Sequence, residues 1–240
     1  MNRVADHFDR AAPTYASATP IQRQVAARLA DRIADSGLPA GTRVAEFGCG
    51  TGYLAEILAP RLQPDQWVAT DIAPAMAAVA RAFTPLVAVM DGARPALAPS
   101  FDLVCSSLTL QWLDDPEAVL AGWRALVRPG GRLAVATLVE RSFTEWHAAL
   151  AEAGAKAGGP RFASIGEACG WFGVDAEVEV FALPERHANA LGFLRALRAS
   201  GTDAAETSAL QGGTMRRAMR AFEARGSSVT YEILIAIETV

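Results

Sequence analysis

Residues 42–58 decide the fold and read Thr42-Arg43-Val44-Ala45-Glu46-Phe47-Gly48-Cys49-Gly50-Thr51-Gly52-Tyr53-Leu54-Ala55-Glu56-Ile57-Leu58. The apolar residues before the glycines predict a short buried strand, and Leu54, Ile57 and Leu58 recur at helical spacing after them. The glycines therefore lie at a strand-to-helix turn. Glycine there tolerates positive φ and lets a ligand approach bare backbone, and the helix N-terminus offers unpaired N–H groups to an anion.

The spacing of these glycines distinguishes between kinds of nucleotide site. A dinucleotide site uses G-x-G-x-x-G, and the match fails because Tyr53 occupies the third glycine position. The chain has instead Glu46-x-Gly48-x-Gly50-x-Gly52, with an acid two residues before the first glycine. This pattern resembles the first motif of class I S-adenosylmethionine-dependent methyltransferases. The resemblance implies that Glu46 lies near the cofactor's ammonium group and that the backbone of Gly48-Cys49-Gly50 approaches the cofactor.

Composition and charge narrow the class of protein. The chain has 240 residues, of which 51% are hydrophobic, which is enough to bury the core of one α/β domain with additions. A net charge of −4 argues against a nucleic-acid partner. Three cysteines without a CxxC pair predict neither a disulfide framework nor a zinc site, and no other metal-ligand spacing occurs. With no signal-peptide core and no membrane-length apolar run, we expect a cytoplasmic protein without a membrane partner.

The first forty residues predict a helical arm. Residues 1–20 contain Phe8 and Tyr15, and a helix over Ile21–Ser36 follows and carries Gln22 near its start. One interpretation is an amphipathic arm that only packs on the domain. The other is a lid that places Tyr15, the candidate catalytic residue, over the cofactor's sulfonium, because an aromatic face attracts a cation. Gln22 is then a candidate cofactor contact.

The second predicted strand, Gln66–Asp71, ends in an acid. Asp71 follows the glycine loop by about twenty residues, where an acid hydrogen-bonds the two ribose hydroxyls of a nucleotide. Ile72 and Met76 come next and are candidate cofactor contacts. The alternative is that Asp71 caps the helix that follows, since Pro74 is an early helical residue there. The two roles are compatible.

A third strand is predicted over Leu86–Ala93, again with an acid near its end. Asp91 is in position to accept a hydrogen bond from an adenine amino group, with the backbone of Gly92 and Ala93 completing the contact to the base edge. The alternative is a plain Asp-Gly turn.

The fourth strand, Phe101–Ser107, contributes Ser106 and Leu108 as further candidate cofactor residues. Amino-methyltransferases of nucleic acids usually carry Asp/Asn-Pro-Pro-aromatic at this place. Ser106-Ser107-Leu108 stands here instead, and Cys105 is not followed by proline. Both observations disfavour a nucleic-acid methyltransferase.

The remaining pattern completes a doubly wound α/β fold. We expect a single domain over residues 1–240 with a mostly parallel seven-stranded sheet and a crevice at the carboxyl ends of its strands. The predicted elements after the fourth strand are a helix over Leu120–Val127, strands over Arg132–Leu138, 177–183 and 229–238, and helices over Phe143–Leu150, Ala188–Arg198 and Met215–Arg225. The predicted parts are an arm or lid (1–40), a cofactor-binding half (41–140) and a helical substrate roof (141–175 and 188–226).

A more specific resemblance rests on an ordered set of motifs. The set is Phe8-x-x-Ala11-Ala12-x-x-Tyr15, Gln22, Glu46-Phe47-Gly48-Cys49-Gly50-Thr51-Gly52, Ser106-Ser107-Leu108-x-Leu110-Gln111-Trp112, Arg128-Pro129-Gly130-Gly131, Thr137-Leu138, Leu194-Arg195-Ala196-Leu197-Arg198 and Thr230-Tyr231-Glu232. It resembles the malonyl-acyl-carrier-protein O-methyltransferases of biotin synthesis. Two departures, Arg141 in place of glycine and Gly213-Thr214-Met215-Arg216 in place of Leu-Thr-Arg, lie in the predicted roof.

The resemblance implies methyl transfer from S-adenosylmethionine to the free carboxylate of a malonyl group carried by acyl carrier protein or coenzyme A. A carboxylate is already ionised at neutral pH, so no general base is required and alignment provides the rate. His7, His147 and His187 are accordingly scattered along the chain.

Several polar residues are candidates for holding that carboxylate. Gln111 and Trp112 are predicted substrate contacts, and Arg195 and Arg198, with Arg141 as a third choice, are candidate cationic partners. The arginines at 216, 217, 220 and 225 give a second roof helix a basic side that would steer an acidic carrier protein, although ordinary surface charge explains it equally well. Three other functions stay open: methylation of another small molecule, a non-catalytic cofactor-binding protein, and a nicotinamide oxidoreductase, which Tyr53 disfavours. The sequence does not determine the oligomeric state.

Overall fold

The computed structural model describes residues 3–156, 158, 160–202 and 212–240. The strands in these ranges are β1 (Arg43–Phe47), β2 (Gln66–Asp71), β3 (Leu86–Val89), β4 (Phe101–Ser107), β5 (Val127–Leu138), β6 (Glu177–Arg186) and β7 (Ser228–Thr239). They form one sheet in the order β3-β2-β1-β4-β5-β7-β6. Strand β7 runs antiparallel to both β5 and β6, and the other neighbours are parallel. The predicted doubly wound, mostly parallel seven-stranded sheet is confirmed.

The helices surround this sheet. They are α1 (Arg3–Ala18), α2 (Pro20–Asp35), α3 (Tyr53–Leu62), α4 (Pro74–Ala80), α5 (Pro116–Arg124), α6 (Thr144–Glu152), α7 (Ile165–Gly170), α8 (Ala190–Ala199) and α9 (Gly212–Ala224), and a 3-10 turn spans Leu110–Trp112. Helix α5 begins four residues earlier than predicted because Asp115 caps it, accepting a hydrogen bond from the Ala118 N–H at 3.0 Å. Helix α7 was not predicted, although Ser164 and Glu167 have the spacing of a capping box.

Strand β1 lies at the point where the sheet reverses its order. Its neighbours are β2 on one side and β4 on the other. Strands β2 and β3 extend the sheet from β1 in one direction, and the strands from β4 onward extend it in the other. All but the first residue of β1 are buried, since both faces of the sheet are covered. Ligands of doubly wound sheets bind in the crevice at the carboxyl ends of the strands at such a reversal. The glycine loop after β1 lies at that crevice.

Helices α6, α8 and α9 pack together through three buried aromatic side chains. The ring centroids of Trp146 and Phe193 are 5.4 Å apart, those of Trp146 and Phe222 5.5 Å, and those of Phe193 and Phe222 5.1 Å. Aromatic contacts of this kind anchor amphipathic helices against a core. The three helices predicted as a roof therefore form one cluster. The parts of that roof at 157, 159 and 203–211 lie outside the described residues.

Helix α1 is attached to the domain at two places. The Asp9 carboxylate accepts a 2.7 Å hydrogen bond from the Ala75 N–H in the first turn of α4, where a helix favours negative charge. The Thr14 hydroxyl donates to the carbonyl of Ala199 at the end of α8. The predicted arm is thus a helix that bridges α4 and α8. Within the part of the chain described here, no helix combines the length and apolar composition needed to cross a membrane.

Candidate active site

The three glycines after β1 have different roles in the structure. A Cβ atom at Gly48 would lie 1.9 Å from the Thr109 Oγ1, and one at Gly52 would lie 2.8 Å from the Phe83 ring, so both positions exclude a side chain. At Gly50, φ is +53° and the nearest atom to such a Cβ would be Tyr15 Cε1 at 4.0 Å. Gly50 therefore presents bare backbone to open space, as a ligand-contacting glycine must.

A cavity of about 280 Å³ opens beside this loop, and we call it the loop cavity. It combines carboxylates, bare backbone and apolar walls, which are the features of a site for a polar, partly aromatic ligand. Its lining residues are Val4, Phe8, Tyr15, Gly48, Gly50, Asp71, Ile72, Met76, Met90, Asp91, Gly92, Ser107, Leu108, Thr109, Trp112, Leu113 and Asp114.

Asp71 connects the glycine loop to the end of β2. One carboxylate oxygen accepts a hydrogen bond from the Gly50 N–H and the other from the Ala73 N–H, both at 2.8 Å. Burial raises the pKa of this carboxyl group, and the two N–H donors lower it in part. The capping alternative was wrong, because Ala73 occupies the N-cap of α4 and no side chain caps that helix. The ribose contact of Asp71 stays a prediction.

Glu46 is 2% exposed and lines a small cavity of about 30 Å³, together with Tyr15, Gln22, Cys49 and Gly50; we call it the Glu46 cavity. Its carboxyl group accepts a 2.9 Å hydrogen bond from the Trp67 indole N–H. Burial raises the pKa of Glu46 to about 8, against the lowering by that hydrogen bond. Burial also raises the pKa of the Cys49 thiol, which is therefore a neutral group rather than a nucleophile.

The residues after β3 form a turn that also faces the loop cavity. The Asp91 carboxylate accepts from the Ala93 N–H at 3.0 Å, and the Gly92 carbonyl accepts from the Trp123 indole N–H at 2.8 Å. Asp91 and Gly92 line the loop cavity, but Ala93 does not. The Asp-Gly turn and a ligand contact are thus compatible for Asp91, and Ala93 serves to hold its carboxylate in place.

Two neighbouring serines at the end of β4 have different roles in the structure. Ser106 is fully buried, and its hydroxyl donates to the Phe47 carbonyl at 2.8 Å, so it joins β4 to β1 and lines none of these cavities. Ser107 lines the loop cavity instead. Leu108 follows with a φ of +55°, an uncommon conformation for a side-chain-bearing residue, and it borders three cavities.

A second cavity of about 50 Å³ adjoins the loop cavity, and we call it the aromatic cavity. The two share Phe8, Tyr15, Leu108 and Trp112 as walls. The other lining residues of the aromatic cavity are Gln22, Gln111, Leu138, Phe143, Pro160, Phe162, Leu197, Thr202 and Tyr231. Gln111, Trp112 and Leu138 also line a wide outer groove of about 640 Å³, so the aromatic cavity adjoins that groove as well as the loop cavity.

Tyr15 on α1 borders the loop cavity, the Glu46 cavity and the aromatic cavity. Its ring centroid lies 6.1 Å from that of Tyr53 and 6.5 Å from that of Phe8. Burial raises the pKa of the Tyr15 hydroxyl, so the group is neutral and unsuited to act as a base. The arm thus places this side chain in the lining of all three cavities, and its role over the cofactor's sulfonium stays a prediction.

The three candidate arginines lie outside the lining of these cavities. Arg195 and Arg198 are exposed on α8. Arg141 makes an ion pair with the buried Glu232, with its Nη2 2.6 Å from the carboxylate, while its own side chain is 70% exposed. The clamp by Arg195 and Arg198 stays a prediction that this geometry does not support.

Several lining residues were not predicted. Phe8 was noted only as part of a motif, and Thr109, Leu113, Phe143, Phe162 and Tyr231 reach the cavities from four different segments. Apolar residues of this kind resemble ordinary core residues in a sequence, so no local signal identifies them. Among the described residues, no group of three His, Cys, Asp or Glu side chains could hold a metal ion.

Comparison with known proteins agrees with this geometry. A methyltransferase-domain family model matches residues 45–135. The biotin biosynthesis bifunctional protein BioCD of Bordetella avium is 41% identical over 95% of this chain, and the chain spans 50% of that longer protein. A malonyl-[acyl-carrier protein] O-methyltransferase of Magnetococcus marinus is 34% identical, with the match covering 99% of this chain and 92% of the relative.

Solved structures agree at the level of the fold. A putative methyltransferase of Bacillus halodurans superposes with a TM-score of 0.63 at 14% identity, covering 87% of this chain and 96% of that one. YcgJ of Bacillus subtilis gives the same TM-score at 13% identity, covering 89% and 99%.

The loop cavity fits S-adenosylmethionine on the structure's own features. Gly50 leaves room for a ligand against bare backbone, and the carboxylates of Asp71, Asp91 and Asp114 suit a ligand that carries net positive charge and hydroxyl donors. The extent of the match to the Magnetococcus marinus protein decides the family. The chain belongs to the malonyl-[acyl-carrier protein] O-methyltransferase family, and its methyl donor is S-adenosylmethionine.

Proposed function

We propose that this protein methylates the free carboxylate of a malonyl thioester on acyl carrier protein, as an early step of biotin synthesis. The observation that carries the proposal is the near full-length match to a relative that is itself named malonyl-[acyl-carrier protein] O-methyltransferase. The relative named for biotin biosynthesis supports the same pathway. The cytoplasmic location and the absence of a nucleic-acid partner stay predictions.

The chain's own residues divide the task of holding the methyl donor. The Gly50 backbone and the Asp71 carboxylate would contact its amino-acid and ribose parts, and Asp91 with Gly92 would contact the adenine. Ile72 and Met76 supply apolar wall to the same cavity. Glu46 and Gln22 border the neighbouring Glu46 cavity, where the Glu46 carboxyl group would interact favourably with the ammonium group of the donor.

The chemistry requires alignment rather than proton transfer. When bound, S-adenosylmethionine supplies a methyl group on positively charged sulfur. The acceptor carboxylate has an ordinary pKa near 4 and is ionised at neutral pH, so it is already a nucleophile. Among the residues that the structure describes, no histidine lines the loop, Glu46 or aromatic cavities. Holding two reactants in line and excluding water recovers about 7–11 kcal/mol of an activation barrier.

A basic surface on the roof helices would receive the carrier protein. We call Arg216, Arg217 and Arg220 on α9 the arginine face; all three side chains are exposed, in a protein of net charge −4. Arg225 pairs with Glu152 at 2.6 Å and Arg217 donates to the Ala153 carbonyl, whereas the structure shows no ion pair for Arg216 or Arg220 among the described residues. Complementary charge of this kind raises the association rate of an acidic partner.

The first experiment follows methyl transfer from radiolabelled S-adenosylmethionine to a panel of acceptors. We expect label on malonyl-carrier protein and, at a lower rate, on malonyl-CoA, and none on acetyl-carrier protein, which lacks the free carboxylate. Label on another small acid but not on either malonyl thioester would replace the proposed substrate. Binding of S-adenosylmethionine without transfer to any acceptor would favour a non-catalytic role.

The second experiment tests the arginine face. The double variant Arg216→Glu/Arg220→Glu should raise KM for malonyl-carrier protein several-fold at low salt and leave KM for malonyl-CoA unchanged, since only the carrier contacts a distant surface. Arg81→Glu, an exposed arginine at the end of α4, is the matched control and should change neither value. If the wild type, the double variant and Arg81→Glu have equal KM values for malonyl-carrier protein, the carrier does not bind the arginine face.

A further inference from the structure

The two adjoining cavities differ in charge. Three carboxylates, Asp71, Asp91 and Asp114, line the loop cavity. The lining of the aromatic cavity contains no Asp, Glu, Lys or Arg residue among the described part of the chain. The described arginines proposed as substrate partners are exposed or paired elsewhere. Among the described residues, a carboxylate that enters the aromatic cavity thus meets no cationic side chain in its lining, and the adjoining loop cavity is lined by carboxylates.

The aromatic cavity nevertheless offers neutral hydrogen-bond donors. Gln111 uses one amide N–H on the Leu108 carbonyl at 2.8 Å, and its carbonyl accepts from the Thr137 hydroxyl at 3.2 Å, which holds the side chain in place with one N–H left over. Tyr15, Gln22 and Trp112, whose side chains each carry a hydrogen-bond donor, line the same cavity. Tyr231 is a poorer donor because its hydroxyl proton is directed to Glu185 at 3.0 Å.

We propose that the positive charge that binds the substrate carboxylate is supplied by the bound methyl donor, and that Gln111, Tyr15, Gln22 and Trp112 orient the carboxylate as neutral donors. This inference rests on the proposed carboxylate substrate and replaces the arginine clamp. The aromatic and loop cavities share Phe8, Tyr15, Leu108 and Trp112 and are therefore neighbours. A sulfonium in the loop cavity would then lie next to a carboxylate in the aromatic cavity. A protein cation at the carboxylate would also lower its nucleophilicity, and the structure avoids that cost.

The reaction then removes the attraction that held the substrate. A carboxylate oxygen forms a bond to the methyl carbon while the bond from that carbon to sulfur breaks, and its electron pair stays on sulfur. No proton moves. Both charges disappear in the same step, since the products are a neutral ester and a neutral thioether. The protein therefore binds its substrate after the charged donor. It releases the ester readily, because the electrostatic attraction in the cavity is lost once the methyl group is transferred.

The test measures equilibrium binding of malonyl-CoA to two complexes of the protein. One contains S-adenosylhomocysteine, whose sulfur is neutral, and the other sinefungin, which carries an ammonium-bearing carbon at that place and transfers no methyl group. The methyl ester of malonyl-CoA is the control ligand, because it lacks only the carboxylate charge. We expect malonyl-CoA to bind the sinefungin complex at least about tenfold more tightly, which corresponds to about 1.4 kcal/mol, and its ester to bind both complexes alike.

A variant moves the charge from the cofactor to the protein. Gln111→Lys adds a cation to the aromatic cavity and should strengthen malonyl-CoA binding to the S-adenosylhomocysteine complex, so that the ratio falls toward one. Gln111→Met, of similar length but uncharged, is the matched control and should keep the ratio. Thermal denaturation of both variants verifies that they are folded.

The outcomes separate this inference from the proposed function. Equal affinity of malonyl-CoA for the two wild-type complexes, or no binding to either while methyl transfer to it proceeds, overturns the inference and leaves the function intact. Absence of methyl transfer to every malonyl thioester overturns the function, and the inference falls with it.

Discussion

Asp71 is the residue whose removal we expect to affect both the scaffold and cofactor binding. Its two oxygens accept hydrogen bonds from Gly50 and Ala73, each at 2.8 Å, and the side chain is 8% exposed. In Asp71→Ala these two N–H groups lose their partner, at about 1–3 kcal/mol each in the free energy of unfolding. If Asp71 also binds the ribose hydroxyls, the variant loses about 1.5–3 kcal/mol of cofactor binding, the range for a hydrogen bond to a charged group.

Calorimetry with S-adenosylhomocysteine and urea denaturation of the free protein measure the two effects separately. The expected rise in Kd is about 10- to 150-fold. Asp71→Asn keeps one acceptor and should lie between wild type and Asp71→Ala in both measurements. Ser164 caps α7, and its side chain lines none of the three cavities, so Ser164→Ala is the control for destabilisation alone. It should lower stability by about 0.5–2 kcal/mol and leave Kd unchanged.

One result would refute the reasoning for Asp71. If Asp71→Ala is folded and less stable, but binds S-adenosylhomocysteine within twofold of wild type, then the carboxylate only braces the glycine loop. The ribose contact would have to be assigned to another group of the loop cavity.

Three further predictions follow from the site. Because the pKa of Glu46 is raised to about 8, the folded protein keeps a proton that the unfolded chain loses near pH 4.5, so the free energy of unfolding should fall as pH rises from about 4.5 to 8. Urea titrations should show a smaller fall in Glu46→Gln. An equal dependence on pH in the variant and the wild type would contradict this prediction. Gly50→Val should abolish cofactor binding in dialysis. Gly130→Val is the control, because Gly130 has a comparable positive φ and open space around it but lines none of the three cavities, so this variant should only lose stability. Similar affinities for both variants would show that Gly50 does not contact the cofactor. Tyr15→Ala should weaken binding of S-adenosylmethionine by about 0.5–2 kcal/mol more than that of S-adenosylhomocysteine, because only the former carries a charged sulfur, and an equal loss would exclude the aromatic–cation contact.

Much of the fold could be predicted from the sequence because strand ends carry their own signals. β2 and β4 match the predicted ranges, since each is an apolar run closed by polar residues. Acids at strand ends also gave Asp71 and Asp91, because the carboxyl ends of parallel strands converge at one edge. The third strand ends earlier than expected, at Val89, as the Asp91 turn takes the chain out of the sheet.

The differences between expectation and structure concern where a side chain points. The choice between Ser106 and Ser107 depends on where β4 leaves the sheet, and the left-handed Leu108 sets that point through tertiary contacts rather than through local pattern. The arginines at 195 and 198 match a family motif, but helix α8 turns them outward because Phe193 and Leu197 occupy its buried face. Pairing of Arg141 with Glu232, 91 residues away in sequence, has no local signal.

Intact-mass spectrometry of malonyl-carrier protein after incubation with the protein and S-adenosylmethionine tests the central claim most directly. We predict a mass increase of one methylene group and a product that no longer loses CO2 on fragmentation, since only a free malonyl carboxylate leaves as CO2 and a methyl group on carbon or nitrogen keeps that carboxylate free. Acetyl-carrier protein in the same mixture should keep its mass. An unchanged mass of malonyl-carrier protein, or a heavier product that still loses CO2, would contradict methylation of the free carboxylate.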